Sequence, residues 1–218
     1  MTTDIATELK EIGTTTLSDA LDRLGIEGQC LGIKPFAPAM QLAGPAFTIR
    51  MLPVGLTRGS VGDYIDDVES GQIVVIDNDG RRDATVWGDI LTLVAARRGI
   101  GGTVIDGVCR DIDRSIEINY PVFARDNTMR TGKDRVTADA YNVPVQVAGV
   151  RVAPGDWLVG DGDGIVALPA PRLQDILDVA RQIAATEARI RDAVLAGERL
   201  DKARERLRYH ALQSKPSG

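Results

Sequence analysis

The stretch from Trp87 to Asp111, WGDILTLVAARRGIGGTVIDGVCRD, limits the fold more than any other part of this chain. It reads as helix, turn, strand and turn. Gly88-Asp89 opens a run whose apolar residues Ile90, Leu91, Leu93 and Val94 suit a buried helix, with Asp89 placed to cap it. Arg97 and Arg98 complement the C-terminal end of the helix dipole, and Gly99 can take the left-handed conformation that stops a helix. Thr103-Val104-Ile105 has the make-up of a buried strand, and Asp106-Gly107 is a strong turn signal. Arg110 and Asp111 then follow just past the strand. Ligands of open α/β sheets bind outside the carboxyl ends of strands. A carboxylate, a guanidinium and a helix N-terminus are therefore expected neighbours, and the free amides of Ile90 and Leu91 suit a substrate carboxylate.

The flanking sequence supplies more of the same architecture. Ile5 to Leu24 reads as helical, with Thr16 or Ser18 able to cap a second segment, Asp19 to Leu24, that stops at Gly25. Residues 26 to 45 repeat Gly and Pro and read as connection. Ala46 to Met51 alternates as a strand does, and Gln72 to Asp77 (QIVVID) is the continuous apolar run of a strand covered on both faces. Thr57 to Glu69 contains a helical acidic stretch, and residues 126 to 142 read as a polar loop. Its Thr131-Gly132-Lys133 lacks the glycine spacing of a phosphate-binding loop. Short strands follow at Val143–Val147, Val150–Val152, Asp156–Val159 and Ile165–Leu168. The pattern alone is α/β with a mixed sheet.

From Pro171 the character changes. Leu173, Ile176, Ala180, Ile183, Ile190 and Val194 recur at the spacing of an amphipathic helix, and Glu187 stands within that apolar seam. Pairing with Arg191, four residues on, is one account of it. Residues 1–170 are expected to form the core with its site, and 171–218 a helical extension at a subunit interface.

Composition excludes several classes of function. A net charge of −5 gives no basic footprint for nucleic acid. No apolar run is long enough for a membrane span or a secretory signal, and two cysteines fit a reducing cytoplasm. The one histidine, His210, leaves no zinc cluster, so a metal here would be held by oxygen, which favours Mg²⁺ or Mn²⁺. Asp77, Asp79 and Asp83 lack the glutamate of an EF-hand loop. Cys109 has no histidine base, and Lys10, Lys34, Lys133, Lys202 and Lys215 sit in polar contexts that do not suit a Schiff base.

Asp89, twenty residues, then Arg110-Asp111, set in the frame Gly102-x-Val104-x-Asp106-Gly107-x-x-Arg110-Asp111, resembles the RraA-like proteins, which include 4-hydroxy-4-methyl-2-oxoglutarate aldolases. The resemblance runs from Leu17-Ser18-Asp19-Ala20-Leu21 through Gly44-Pro45-Ala46-Phe47-Thr48 to Pro154-Gly155-Asp156 and Asp161-Gly162-Asp163-Gly164. It implies a three-layer β/β/α swivelling-type fold with the C-terminal amphipathic helix appended, assembled as a homotrimer or homohexamer. It further implies a metal-dependent lyase that cleaves 4-hydroxy-2-oxo acids to pyruvate and a carbonyl compound, and decarboxylates oxaloacetate through the same enolate. In this frame Asp111 holds the metal, Arg110 binds the 2-oxo acid and stabilises the enolate, and Asp89 assists near the metal or in proton transfer. Glu187 is presented to a neighbouring subunit's site. On residue preference alone Asp111 reads instead as the N-cap of a helix from Ile112. The same family also contains inhibitors of RNase E, so a non-catalytic regulator is the alternative reading, as is the same site acting on a different sugar acid. A methyltransferase would need a glycine-rich nucleotide loop that is missing.

Overall fold

The computed structural model describes residues 4–56 and 59–209, so His210, Lys215 and the end of the expected helical tail lie outside the described residues. Helices α1 (Ile5–Ile12) and α2 (Thr14–Leu24) lead to a short strand β1 (Lys34–Pro35) and a long one, β2 (Leu42–Pro53). Then come β3 (Ile73–Thr85), α3 (Asp89–Arg97), β4 (Gly102–Cys109), α4 (Ile112–Glu117) and β5 (Val122–Asn127). Strands β6 (Val136–Tyr141), β7 (Val145–Val147), β8 (Val150–Val152), β9 (Trp157–Asp161) and β10 (Gly164–Leu168) precede α5 (Leu173–Leu195) and α6 (Leu200–Arg206).

The main sheet has the order β1-β5-β4-β3-β2-β9-β10, with β6 also paired to β2. Its centre, β2 to β5, is parallel, and the strands added at either side run antiparallel. The apolar run of β3 serves both faces, as expected of a central strand. Val74 and Ile76 pack with Trp87, Ala95 and Tyr120 on the face covered by α3 and α4. Ile73 and Val75 pack with Val104, Phe123 and the valines of the β7–β8 hairpin on the other. Hairpin, sheet and helices thus form the β/β/α layers.

A third apolar cluster joins α1, α2 and α5 to β9 and β10, through Leu17, Leu21, Val159, Leu168, Ile176 and Ile183. Burying each large aliphatic side chain is worth about 1.5–3 kcal/mol. The first three turns of α5 are therefore held by their own chain.

Several sequence expectations fail here, most of them for a tertiary reason. Asp106-Gly107 is not a turn: β4 runs through both, and Asp106 is 2% exposed. Its carboxylate accepts from the Arg125 guanidinium of β5 and from the Ala148 amide, at 2.6 Å, between β7 and β8. Gly107 is there because a Cβ would come within 3.0 Å of Asn78. Second, α2 begins at Thr14 and not near Asp19, because the carboxylate of Asp161 at the end of β9 receives the Thr14 amide (2.8 Å) and hydroxyl (2.7 Å). Third, residues 126 to 142 contain β6, which pairs with the far half of β2, and the acidic stretch before Glu69 is only one 3-10 turn, Ile65–Asp67. Fourth, α3 buries Thr92 and Ala95, whereas Ile90 is 73% exposed and Leu93 48%.

Candidate active site

The segments entering α3 and leaving β4 are stitched by backbone. Val86 N–H donates to the Val108 carbonyl at 3.3 Å and Arg110 N–H to the Trp87 carbonyl at 3.0 Å. The helix start is fixed from inside: the Trp87 indole donates to the Thr92 hydroxyl (2.8 Å), which donates to the Gly88 carbonyl (3.0 Å). Trp87 itself stacks on Tyr120, with ring centroids 6.2 Å apart. The Tyr120 hydroxyl lies 2.9 Å from the Thr103 hydroxyl, and burial pushes the ionisation of this phenol up.

On this frame the three predicted residues meet. Asp111 Oδ2 accepts from the Asp89 N–H and contacts Arg110 Nε, each at 3.3 Å. Asp89 is the first residue of α3 and Gly88 its N-cap, so Asp89 does not cap with its side chain. Asp111 likewise makes no cap bond to α4, although it occupies the N-cap position. It adopts the left-handed conformation (φ 56°, ψ 39°), which costs a non-glycine residue about 1–2 kcal/mol. That turn brings its carboxylate back to α3. The amides of Ile90 and Leu91 have no partner within their helix, because the first turn cannot supply one.

A cleft of about 190 Å³ opens here, lined by the predicted residues Gly88, Asp89, Ile90, Leu91 and Arg110 but not by Asp111, whose carboxylate lies beside it against Arg110 and the Asp89 amide. Val61, Thr85 and Thr131 also line it, and these were missed. Thr131 arrives through a bridge to Thr85, and Gly132 permits the approach, since a Cβ there would lie 2.2 Å from the Thr85 carbonyl oxygen. The only sequence signal was that glycine, beside a threonine. Cys109, next to Arg110, is buried, and its thiol is pushed up to about 12 by burial, which removes it as a nucleophile.

Glu187 does not join this cleft within one chain. It pairs with Arg191 at 3.6 Å and lines two other clefts, one with Glu8 and Glu11 and one with Ile190, Val194 and Leu200.

Asp111 would not hold a cation within a closed cage: among the described residues no group of three or more His, Cys, Asp or Glu could enclose a metal. Its carboxylate is 40% exposed and its Oδ1 has no hydrogen bond among the described residues. One open carboxylate fits an ion that keeps most of its water, as Mg²⁺ does, and Mn²⁺ shares its preference for oxygen ligands.

Gly88 is where a small change should test this geometry. Its extended backbone (φ −155°) tolerates any residue, but an added Cβ would lie 2.8 Å from Asp111 Oδ2 and 3.2 Å from Arg110 Nε. Gly88→Ala is expected to displace both side chains, and an activity that needs them in their present places should fall by about a hundredfold, the usual cost of misplacing groups by an ångström. Both neighbours are half-exposed, so thermal unfolding should shift by less than about 4 °C. A variant as active as the parent would mean that these two side chains need not hold their present places.

The chain is 41% identical over 201 residues to Protein DlpA of Legionella pneumophila, a match covering 91% of this chain and spanning only 33% of DlpA. It is 34% identical to the "Putative 4-hydroxy-4-methyl-2-oxoglutarate aldolase" of Halalkalibacterium halodurans, covering 82% of this chain and 83% of that one. A crystal structure of a Pseudomonas syringae protein superposes with a TM-score of 0.84 at 43% identity, covering 93% and 99% of the two chains. A second, Streptomyces coelicolor RraAS2, described as an unusual member of the RNase ES inhibitor RraA family, gives 0.77 at 28%, covering 84% and 92%. The pattern described as RraA-like (Aldolase/RraA) matches residues 14–167, taking in the sheet, α3, Arg110 and Asp111, and the chain belongs to that family.

Proposed function

We propose that this protein is a divalent-metal-dependent carbon–carbon lyase that cleaves 4-hydroxy-2-oxo acids to pyruvate and a carbonyl compound, with oxaloacetate decarboxylation as a side activity. The observation that carries the reading is the juxtaposition at Asp111: an open carboxylate, an arginine and a helix N-terminus, all within 3.3 Å contacts. The relatives named as aldolases add to it.

Each group has a chemical task. The amides of Ile90 and Leu91, aided by the helix dipole, bind the substrate's C1 carboxylate. Arg110 faces the 2-oxo oxygen and holds the negative charge that develops there. Asp111 would hold Mg²⁺ or Mn²⁺, which when bound supplies Lewis acidity to the 2-oxo oxygen. Asp89 takes the proton of the C4 hydroxyl, directly or through a water. As that proton leaves, C4 becomes a carbonyl and the C3–C4 electron pair moves into the enolate. Protonation at C3 releases pyruvate. Loss of carbon dioxide from oxaloacetate leaves the same enolate.

Assembly as a homotrimer or homohexamer belongs to this reading, with the C-terminal helix at the interface and Glu187 reaching a neighbour's cleft as an additional acid. Its support is the uncovered apolar end of α5 and α6, where Val194 is 41% exposed, Leu195 85% and Leu200 44%. A cytoplasmic setting is supported by two free, buried cysteines, Cys30 and Cys109. No helix among the described residues is long and apolar enough to cross a membrane.

The test is pyruvate release from 4-hydroxy-2-oxopentanoate, 4-hydroxy-4-methyl-2-oxoglutarate and oxaloacetate, with Mg²⁺ or with EDTA, alongside Asp111→Ala. Metal-dependent turnover that falls at least about a thousandfold in the variant is the expected outcome. No pyruvate from any of the three, from folded protein with metal present, would overturn the lyase and favour a binding role like that named for the Streptomyces relative.

A further inference from the structure

A buried hydroxyl behind the cleft governs the direction of the amide that meets Asp111. Thr92 is 1% exposed and does not line the cleft. Its hydroxyl has two partners whose roles their chemistry fixes. The Trp87 indole, at 2.8 Å, can only donate, and the Gly88 carbonyl, at 3.0 Å, can only accept. The hydroxyl therefore accepts from Trp87 and gives its one proton to Gly88. Thr92 N–H donates to the same carbonyl at 3.0 Å, so one residue grips that oxygen twice.

The Gly88 carbonyl and the Asp89 N–H belong to one trans peptide unit, which is planar, so they point in opposite directions. Turning the carbonyl inward to Thr92 turns the N–H outward to Asp111 Oδ2, 3.3 Å away. Resting on the lyase reading, we infer that Thr92 is a positioning residue: it keeps the Asp89 amide on Asp111 and so steadies the carboxylate that would hold the divalent cation. The anchor behind it is rigid. Trp87 is 3% exposed and stacks on Tyr120, whose hydroxyl lies 2.9 Å from that of Thr103 in β4. Hydrogen bonds buried in this way meet little competition from water. Groups that orient a metal ligand from behind are typically worth about 10–100-fold in metal affinity or activity.

The test is the affinity for Mn²⁺, read from the electron paramagnetic resonance of the free ion, with kcat for pyruvate release from oxaloacetate measured beside it. Asp111→Ala shows which bound ion belongs to this carboxylate. Thr92→Val keeps the shape and removes the hydroxyl. At a temperature where it is fully folded, it is expected to bind Mn²⁺ more weakly and to turn over more slowly, each by at least about tenfold. Thr92→Ser keeps the hydroxyl and is expected to stay within about threefold of the parent on both. Stranding the indole will also lower the unfolding midpoint of Thr92→Val, but a purely structural role would leave the Mn²⁺ affinity of the folded protein unchanged. Should the valine variant not fold, Thr92→Ala removes the same hydroxyl. Parental Mn²⁺ affinity in the folded valine or alanine variant would overturn the inference and leave the lyase standing, as would a serine variant no better than valine. Loss with valine and recovery with serine, in a protein that releases no pyruvate, would support the positioning role while removing the lyase. Mn²⁺ binding that is absent from the parent, or that survives Asp111→Ala, would overturn the inference together with the metal role of Asp111.

Discussion

Arg110→Ala is expected to lower kcat for pyruvate release by about a thousandfold, the scale of losing a donor aimed at developing oxyanion charge. The side chain has little else to do. Its one ion pair among the described residues, with Asp111 at 3.3 Å, is about 40% exposed on both sides and contributes little to stability. Its backbone amide, bonded to the Trp87 carbonyl, is unaffected by truncation. The unfolding midpoint should therefore stay put while kcat collapses. Arg110→Lys is expected to recover only a small part of the loss, because an ammonium lacks the planar fork that suits a 2-oxo acid. A charge needed mainly in the transition state lowers kcat and kcat/KM together, whereas a charge used only for binding raises KM alone. Steady-state kinetics of the two variants separates these. A kcat within about threefold of the parent would remove Arg110 from the chemistry.

The largest effect on stability is expected at Asp106, far in role from the cleft though only four residues before Arg110. Asp106→Ala should cost about 3 kcal/mol, because it strands a guanidinium that is itself three-quarters buried and an amide that had a charged acceptor. For a chain of this size that is about 6–12 °C in the unfolding midpoint. Asp106→Asn keeps an acceptor for the Ala148 amide but not the charge for Arg125, and should fall between the two. Urea unfolding followed by tryptophan fluorescence would report both. A loss under about 1 kcal/mol for the alanine variant would mean that the sheet does not depend on this tie. The same residue docks the β7–β8 hairpin, assisted by Asp77, which accepts from the Gln146 amide at 3.0 Å. Burial holds the Asp77 carboxyl above its usual range.

Much of the molecule could be read before any coordinates, and the reason is periodicity. Gln72–Asp77 announced a two-sided strand because four consecutive apolar residues cannot all face one layer, and Ile73 to Ile76 do divide between two cores. The amphipathic spacing beyond Pro171 announced α5 in the same way. Asp89, Arg110 and Asp111 were legible as a group because helix, strand and turn lengths fix where a chain of twenty intervening residues can return. The structure brings the Asp89 amide and the Arg110 guanidinium to the Asp111 carboxylate, each at 3.3 Å.

Other features depended on partners far along the chain, and no local signal could supply them. Asp106-Gly107 carries the chemistry of a turn, yet Arg125 and Ala148 make the aspartate satisfiable inside a sheet, and the nearness of Asn78 demands the glycine. Thr14 starts α2 because Asp161, 147 residues on, receives its amide. Thr131 enters the cleft through its bridge to Thr85, and Val61 follows Gly59 and Ser60, whose carbonyls accept from the Asp134 and Ala138 amides. Ile90 has the composition of a core residue and the position of a wall residue, since helical spacing says which residues share a face but not which face meets the sheet. Local sequence determined which elements form and which charged groups their ends present. Only the tertiary structure decided which buried charges are paired and which residues line the cleft, because burial and long-range pairing are properties of the assembled layers and not of any one stretch.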